Sequence, residues 1–125
     1  MVEHGDLIVI GGGLSGLSLA RRLAQRGYRG RVQLLEPRLH YEDDRSWAFW
    51  TPCDSAWSAA ATHTWDRWLF SQRASAALAR DAQGWCYAYI RSIDFYQYAL
   101  RSLASSPNIT LVPGTRAGAI EAGCL

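Results

Sequence analysis

Three glycines near the start of the chain have the spacing of a turn that holds a dinucleotide. Gly11, Gly13 and Gly16 follow the pattern G-x-G-x-x-G. In this pattern the first glycine allows a tight turn, the second leaves room for a pyrophosphate beside the backbone, and the third lets a helix pack closely. Glu36 lies twenty residues after Gly16, where the pattern places a carboxylate for ribose hydroxyls. Because a carboxylate would repel a 2′-phosphate, FAD or NAD is favoured over NADP.

The sequence also predicts the elements that would position these residues. Asp6–Ile10 and Val32–Leu35 are short apolar runs typical of buried parallel strands, and Leu14–Arg26 has helical periodicity, with Gly27 suited to end the helix. The second strand leads directly to Glu36. Since strand, helix, second strand and acid coincide, dinucleotide binding is favoured over a tight glycine turn without a ligand. The free N–H groups at a helix start suit a diphosphate, so the residues predicted around it are Gly11, Gly13, Leu14, Ser15 and Gly16.

The rest of the chain continues the alternation of strands and helices. It predicts an α/β protein with a Rossmann-like FAD/NAD(P)-binding fold, in which Val32–Leu35 lies beside Leu7–Ile10, joined right-handedly through the helix, and Ile109–Val112 joins the same parallel sheet. The further predicted elements are a loop at Pro37–Asp44, a short helix or loop edge at Ala74–Arg80, a strand at Trp85–Ile90, a helix at Ser92–Leu103 with Ser92 as N-cap, a turn at Pro113–Gly114 and a strand beginning at Ala117–Glu121.

Length and composition limit the possible classes. The 125 residues are interpreted as one domain, residues 1–125, forming the N-terminal part of an FAD/NAD-binding domain, because about ninety residues beyond the motif are too few to enclose a flavin. A net charge of +2 gives no reason to expect nucleic acid binding. Cys53, Cys86 and Cys124 form no C-x-x-C pair, which indicates reduced thiols. The three histidines, of which His4 is the first, are too widely spaced in the sequence to predict a metal site. No signal peptide or membrane-spanning run is present in the sequence.

With these elements placed, the chain resembles the N-terminal third of the bacterial lycopene cyclase family, a branch of the Rossmann-type flavoproteins. The segment Asp6–Gly16 is shared with many flavoproteins, whereas Arg45–Trp50 is close to a family signature that reads T-W-x-F followed by His or Trp, with Ser46 replacing the usual Thr. Two further patterns are similar to the family: the start of a helix carried by Tyr87, Ile90, Ser92, Phe95 and Leu100, and a turn beside the adenine carried by Val112–Ile120, which includes Ala117.

The resemblance implies an enzyme that closes the ψ-ends of lycopene, or a related acyclic carotenoid, into β-ionone rings without net redox change, giving β-carotene. It implies bound FAD, kept reduced by NAD(P)H, and a cytoplasmic protein with peripheral membrane association. The acid that starts the reaction lies downstream of Leu125 in the family, so the catalytic residues are unknown and the 125 residues alone are expected to be inactive. The alternatives are an FAD-dependent oxidoreductase or monooxygenase, and a non-catalytic nucleotide-binding module.

Three groups of side chains are candidates for further roles. Five of the six tryptophans lie between Arg45 and Phe70; core packing or a domain interface is favoured for them, with the lining of a polyene site as the alternative. The acidic residues 42–44 are better explained by a solvated loop than by general acid catalysis. Arg38 and Arg45 could reach the adenosine or pyrophosphate, or have a surface role. Within the family signature, the candidate substrate-lining residues are Trp47, Phe49 and Trp50.

Overall fold

The computed structural model describes residues 6–72 and 76–119. Contacts group the chain into two compact units: unit 1 comprises the described residues up to Tyr41 and from Tyr96 onward, and unit 2 comprises Glu42–Phe95. The single-domain interpretation stays a prediction. In chain order the elements are β1 (Leu7–Ile10), α1 (Leu14–Gln25), β2 (Val32–Glu36), β3 (Ser46–Pro52), α2 (Ala56–Ala60), β4 (His63–Trp65), β5 (Arg67–Phe70), β6 (Leu78–Asp81), β7 (Trp85–Arg91), α3 (Ser92–Leu103) and β8 (Ile109–Pro113).

Unit 1 contains a three-stranded parallel sheet in the order β1–β2–β8. Leu7 is paired with Val32, and Val32 in turn with Ile109. Val32 and Leu34 are almost completely buried in the middle strand, as expected for a strand with a neighbour on both sides. The prediction that both later strands join the first one in a parallel sheet is therefore confirmed, and the chain has a mixed α/β fold.

Helix α1 connects the first two strands of this sheet, and its end follows the glycine signal in the sequence. Gly27 has φ +68°; its N–H donates to the carbonyl of Ala24, and the N–H of Tyr28 donates to the carbonyl of Leu23, both at 3.0 Å. These two bonds form a Schellman motif, which satisfies carbonyls that the helix end would otherwise leave without donors. The helix end near Arg26 is thus where the sequence predicted it.

Helix α1 contains a buried arginine, Arg21, whose burial the sequence did not predict. Arg21 is only 6 % exposed, and its Nε donates to Ser102 Oγ at 2.9 Å while Nη2 donates to Tyr98 Oη at 2.8 Å. Its guanidinium also lies 4.2 Å from the centre of the Tyr98 ring, a distance suited to a cation–π interaction. Arg21 therefore joins α1 to α3 within unit 1.

Unit 2 is built from antiparallel strands. One sheet has the order β3–β7–β4, and a separate hairpin pairs β5 with β6. Along β7, Cys86 and Ala88 are buried while Trp85 and Tyr87 are exposed, so this sheet has one covered and one open face. Among the described residues, no helix has both the length and the apolar character needed to cross a membrane.

Two sequence-based predictions are wrong where the structure tests them. Residues 78–80 belong to strand β6, not to a helix or loop edge, because Leu78 and Arg80 pair with Phe70 and Trp68 of β5. Ala117 and the two residues after it form no strand. Pairing with the preceding strand β5 determined the first of these, which the propensity of residues 78–80 alone could not indicate. The remaining parts of these predictions at residues 74–75 and 120–121, together with His4 and Cys124, lie outside the described residues.

Candidate functional site: a glycine turn with a buried carboxylate

The turn after β1 is tightly built. Gly11 has φ +97°, a conformation that favours glycine, and its N–H donates to the carbonyl of Leu35 at 2.8 Å. A Cβ atom on Gly16 would lie 1.9 Å from the carbonyl oxygen of Gly11, which no real structure tolerates without backbone movement. These two glycines are therefore required by the fold itself.

Gly13 differs from both of them. Its backbone is extended, with φ −81° and ψ −161°, which any residue can adopt. A Cβ atom placed on Gly13 would meet nothing within 4 Å. Neither backbone conformation nor internal packing explains a glycine here, so the open space beside it is the feature that an approaching ligand would use.

This open space lies at the start of α1. Gly13 is the N-cap and supplies no side-chain hydrogen bond, and the first turn contains no acidic residue. The first N–H groups of a helix have no acceptors within the helix, and the partial positive charge of that helix end favours an anion. Leu14 is half-buried and Ser15 exposed in this turn. The arrangement fits a diphosphate.

Glu36, at the end of β2, is only 4 % exposed. Its Oε2 accepts the N–H of Gly12 at 2.9 Å and Nη2 of Arg38 at 3.2 Å. Its Oε1 accepts the backbone N–H of Arg38 at 2.9 Å and the Nε of the same residue at 2.7 Å. The hydrogen bond from the Arg38 side chain is the main reason why the pKa of Glu36 lies below its ordinary value, against the opposing effect of burial. The same bond raises the pKa of Arg38.

Two tyrosines complete this cluster. The hydroxyl of Tyr41 donates to the carbonyl of Gly12 at 2.7 Å, and its ring stacks on Tyr96 with 4.2 Å between centres. The Arg38 guanidinium lies 5.0 Å and 5.2 Å from the centres of these two rings, and its Nη1 donates to the Tyr96 hydroxyl at 3.0 Å. Burial, followed by the charge of Glu36, raises the pKa of Tyr41. Sequence-based analysis did not identify either tyrosine, because neither belongs to the glycine motif.

The turn after β8 is attached to the same segment. Gly114 has φ +66°, as predicted for a turn at Pro113–Gly114. Its N–H donates to the carbonyl of Arg38 at 3.1 Å, and the N–H of Thr115 donates to the carbonyl of Glu36 at 2.9 Å. Ala117 follows in irregular, half-buried chain. The structure thus brings the glycine turn, Glu36, Arg38 and the β8 turn together within unit 1.

Arg45 belongs to unit 2. Its side chain is 60 % exposed and pairs with Asp44 at 3.1 Å, and it borders a shallow cleft with Asp43, Asp44, Ser46, Tyr89 and Arg91. The acidic residues 42–44 are all exposed, as a solvated loop requires. The loop is held by Ser92, whose Oγ accepts the N–H groups of Asp44 and Arg45 at 3.0 Å and 3.2 Å.

The three aromatic candidates of β3 lie on two different faces of the sheet, because side chains alternate along a strand. Trp47 contacts Phe95 with 5.6 Å between ring centres, and Phe49 contacts Trp57 at 5.7 Å. Trp50 points to the other face and is 49 % exposed. On that face Tyr87 is the centre of a row, 5.3 Å from Trp50 and 6.5 Å from Trp65.

Comparison with known proteins adds two findings. A model of the family described as lycopene cyclase protein matches residues 6–121. Two solved structures of PqsL from P. aeruginosa, one in complex with 2-aminobenzoylacetate and one of a mutant, match with a TM-score of 0.71 each, at 15 % and 16 % sequence identity. Each match covers 95 % of this chain and 36 % of the PqsL chain.

The two findings support conclusions of different kinds. At such low identity the likeness to PqsL shows a shared fold and nothing about ligands or reactions, and this chain spans about 36 % of the PqsL chains. No curated protein sequence matches the chain. The family match, in contrast, extends over nearly the whole sequence. The chain therefore belongs to the lycopene cyclase protein family.

Proposed function

We propose that this chain is the dinucleotide-binding part of a lycopene β-cyclase that binds FAD and converts the ψ-ends of lycopene into β-ionone rings, giving β-carotene. Family membership supports the carotenoid substrate. The observation that carries the cofactor assignment is Gly13, where the backbone does not require glycine and no atom lies near the position of a Cβ. A glycine leaves this space open for a ligand that approaches the backbone.

The topology of unit 1 supports the finer fold assignment. The parallel order β8–β2–β1 is that of the first half of a doubly wound nucleotide-binding sheet, in which the third strand lies outside the second and the second beside the first. Helix α1 follows β1 directly, so its N-terminus lies at the carboxyl end of the sheet, where such folds bind their ligands. We therefore assign unit 1 to the Rossmann-like dinucleotide-binding folds.

Different residues of unit 1 would bind different parts of the cofactor. The N–H groups of the glycine turn and the first turn of α1 would bind the diphosphate, and the Glu36 carboxylate would accept the ribose hydroxyls. Arg38 lies beside Glu36, and Ala117 follows the β8 turn that is bonded to this segment; Arg45 stays a candidate on unit 2. When bound and reduced by NAD(P)H, FAD would supply an electron-rich ring system for a reaction that passes through carbocation character. The residues of unit 1 proposed for these roles are Gly11, Gly13, Leu14, Ser15, Gly16 and Glu36, with Arg38 and Ala117 on the segments beside them.

Among the aromatic candidates, Trp50 is the best placed to contact a carotenoid. Its ring is half-exposed and lies beside Tyr87 on the open face of the sheet, whereas Trp47 and Phe49 pack against aromatic neighbours on the opposite face. Aromatic faces attract cations, by about 0.5–2 kcal/mol for each ring. A C40 hydrocarbon is almost insoluble in water, so we further propose that the protein takes its substrate at a membrane surface in the cytoplasm.

The cofactor assignment is tested by Gly13→Val. The new side chain would enter space that is empty in the protein, so the fold should survive while the diphosphate is excluded. We expect the full-length protein to bind FAD, measured by the change in flavin fluorescence, and its Gly13→Val variant to lose at least tenfold in affinity, a loss of about 1.4 kcal/mol. The circular dichroism spectra should agree. Equal FAD affinity in both proteins would refute the assignment.

The reaction is tested in a host that accumulates lycopene. Expression of the proposed full-length enzyme, of which this chain is a part, under reducing, anaerobic conditions should yield monocyclic and bicyclic carotenoids, without stoichiometric consumption of nicotinamide. Oxygenated products would instead indicate a redox flavoenzyme. Unchanged lycopene together with tight FAD binding would indicate a nucleotide-binding module.

A further inference from the structure

Arg38 forms several hydrogen bonds with Glu36, more than would be expected of an arginine whose role is to bind a ligand. It gives Glu36 three hydrogen bonds, from its backbone N–H, Nε and Nη2, at 2.9, 2.7 and 3.2 Å. The fourth donor to this carboxylate is the N–H of Gly12 in the glycine turn. A carboxylate has about four lone-pair sites, so these donors determine the orientation of Glu36. A ribose hydroxyl would replace the longest of the four bonds, that from Nη2 of Arg38 at 3.2 Å.

The guanidinium of Arg38 is itself held in place. Its Nη1 donates to the Tyr96 hydroxyl, and its plane lies over the stacked rings of Tyr41 and Tyr96. Turning the side chain toward a diphosphate would break the bonds to Glu36 and leave a buried carboxylate without its counter-ion, which is strongly unfavourable.

We propose that Arg38 is a positioning residue of the nucleotide site, which acts on the ribose through Glu36 by holding its carboxylate against the glycine turn, and does not itself bind the diphosphate. This inference rests on the proposed binding of FAD. It assigns the two residues different parts: Glu36 contacts the nucleotide, and Arg38 keeps Glu36 oriented and charged.

A specific pH dependence follows from this role. The side chain of Arg38 is the largest cause that lowers the pKa of Glu36, and burial opposes it. Without that side chain the pKa of Glu36 should therefore be higher than in the unmodified protein. A protonated Glu36 has lost acceptor sites for the ribose. The titratable groups around Glu36 are Arg38, Tyr41 and, beyond the guanidinium, Tyr96. The pKa of Tyr41 is raised by its burial, so its hydroxyl would produce no competing transition near pH 7.

The experiment uses the full-length protein and compares FAD affinity by flavin fluorescence between about pH 4 and 8 for the unmodified form, Arg38→Met, Arg38→Lys and the control Arg101→Met. Arg101 is an exposed arginine of α3 in the same unit. We expect the affinity of Arg38→Met to fall about tenfold for each pH unit below the raised pKa of Glu36. The affinities of the other three proteins should stay nearly constant over this range, because lysine retains the charge beside Glu36.

Two further measurements make the result decisive. The pKa of Glu36, measured by carboxyl ¹³C NMR on the ligand-free protein, should be higher in Arg38→Met. Binding of FMN, which lacks the adenosine half, should not differ between the variants. A loss of FAD affinity in Arg38→Met that is equal at every pH, or an unchanged Glu36 pKa, would overturn the positioning role and indicate direct contact. Absence of FAD binding by the unmodified full-length protein would refute the proposed function itself, and this inference with it.

Discussion

Glycine is favoured at the three motif positions for different physical reasons. Gly11 is in a backbone conformation that other residues rarely adopt, and Gly16 faces the carbonyl of Gly11 too closely for any side chain. Gly13 has neither constraint. Substitutions should therefore separate the residues that the fold needs from the residue that a ligand needs.

Gly16→Ala tests the fold side of this distinction. Its Cβ would lie 1.9 Å from a backbone oxygen, so helix and turn must move apart, at a cost of about 1–3 kcal/mol in the free energy of unfolding. Gly13→Ala, the matched control, should cost less than about 1 kcal/mol. Urea denaturation measures both, and similar losses for the two variants would contradict the assignment.

Glu36→Gln tests the electrostatics of the cluster. The folded-state pKa of Glu36 is lowered from 4.5, so its pairing with Arg38 stabilises the protein above that pH, and the stabilisation is lost as the pH falls through the folded pKa. The variant should be less stable than the unmodified protein by about 1–3 kcal/mol at neutral pH, and the difference should close as the pH falls through the lowered pKa of Glu36.

Urea denaturation at several pH values provides this comparison. Asp94, whose pKa is also lowered by its bonds to Arg91 and Thr62, titrates equally in both proteins, so their difference isolates Glu36. A gap that persists unchanged at acidic pH would show that lost packing, and not charge, explains the effect.

At the scale of elements, strand β3 places the aromatic residues of one short motif on two opposite faces of its sheet. Trp47 and Phe49 face the side on which Phe95 and Trp57 pack, and Trp50 faces the open side. Alternation along a strand makes this separation unavoidable once the register with β7 is set.

Trp47→Ala and Trp50→Ala form a matched pair on this strand. Loss of the Trp47 ring from its contact with Phe95 should reduce the free energy of unfolding by about 3 kcal/mol. Loss of Trp50 removes an exposed cross-strand pair and should cost no more than about 1 kcal/mol. In the cyclisation assay, Trp50→Ala should still lower product formation with FAD bound. The reverse order of stabilities would place the core of unit 2 on the other face.

At the scale of the whole molecule, the chain leaves unit 1 after Tyr41 and returns to it at Tyr96, within helix α3. All six tryptophans lie in unit 2, so tryptophan fluorescence reports on this unit. Helix α1 and most of α3 lie in unit 1 and contribute strongly to far-ultraviolet circular dichroism.

These two signals test the single-domain prediction. Because α3 runs without interruption from one unit into the other and helices form cooperatively, we expect Gly16→Ala in unit 1 to lower the denaturation midpoints of both signals equally. Noncoincident transitions, with the tryptophan midpoint unchanged, would show that the two units unfold separately.

The sequence by itself was sufficient to predict that the chain begins with β1, α1 and β2, that α1 ends at Gly27 and that a strand begins at Ile109. These elements depend on periodicity, glycine conformation and short connections, which are local properties. The position of Glu36 at the end of the second strand follows from the same spacing, as does the location of the turn at Gly114.

Tertiary structure alone decided which residues surround that carboxylate and which faces the aromatic residues occupy. The bonds from Tyr41 to Gly12, from Arg38 to Tyr96 and from Arg21 to α3 join residues 29, 58 and 77 or more positions apart in the chain. The pairing of β5 with β6 and the separation of Trp50 from Trp47 likewise depend on strand register. Such contacts form when segments of the folded chain pack together, and the local pattern of one segment does not encode its partners.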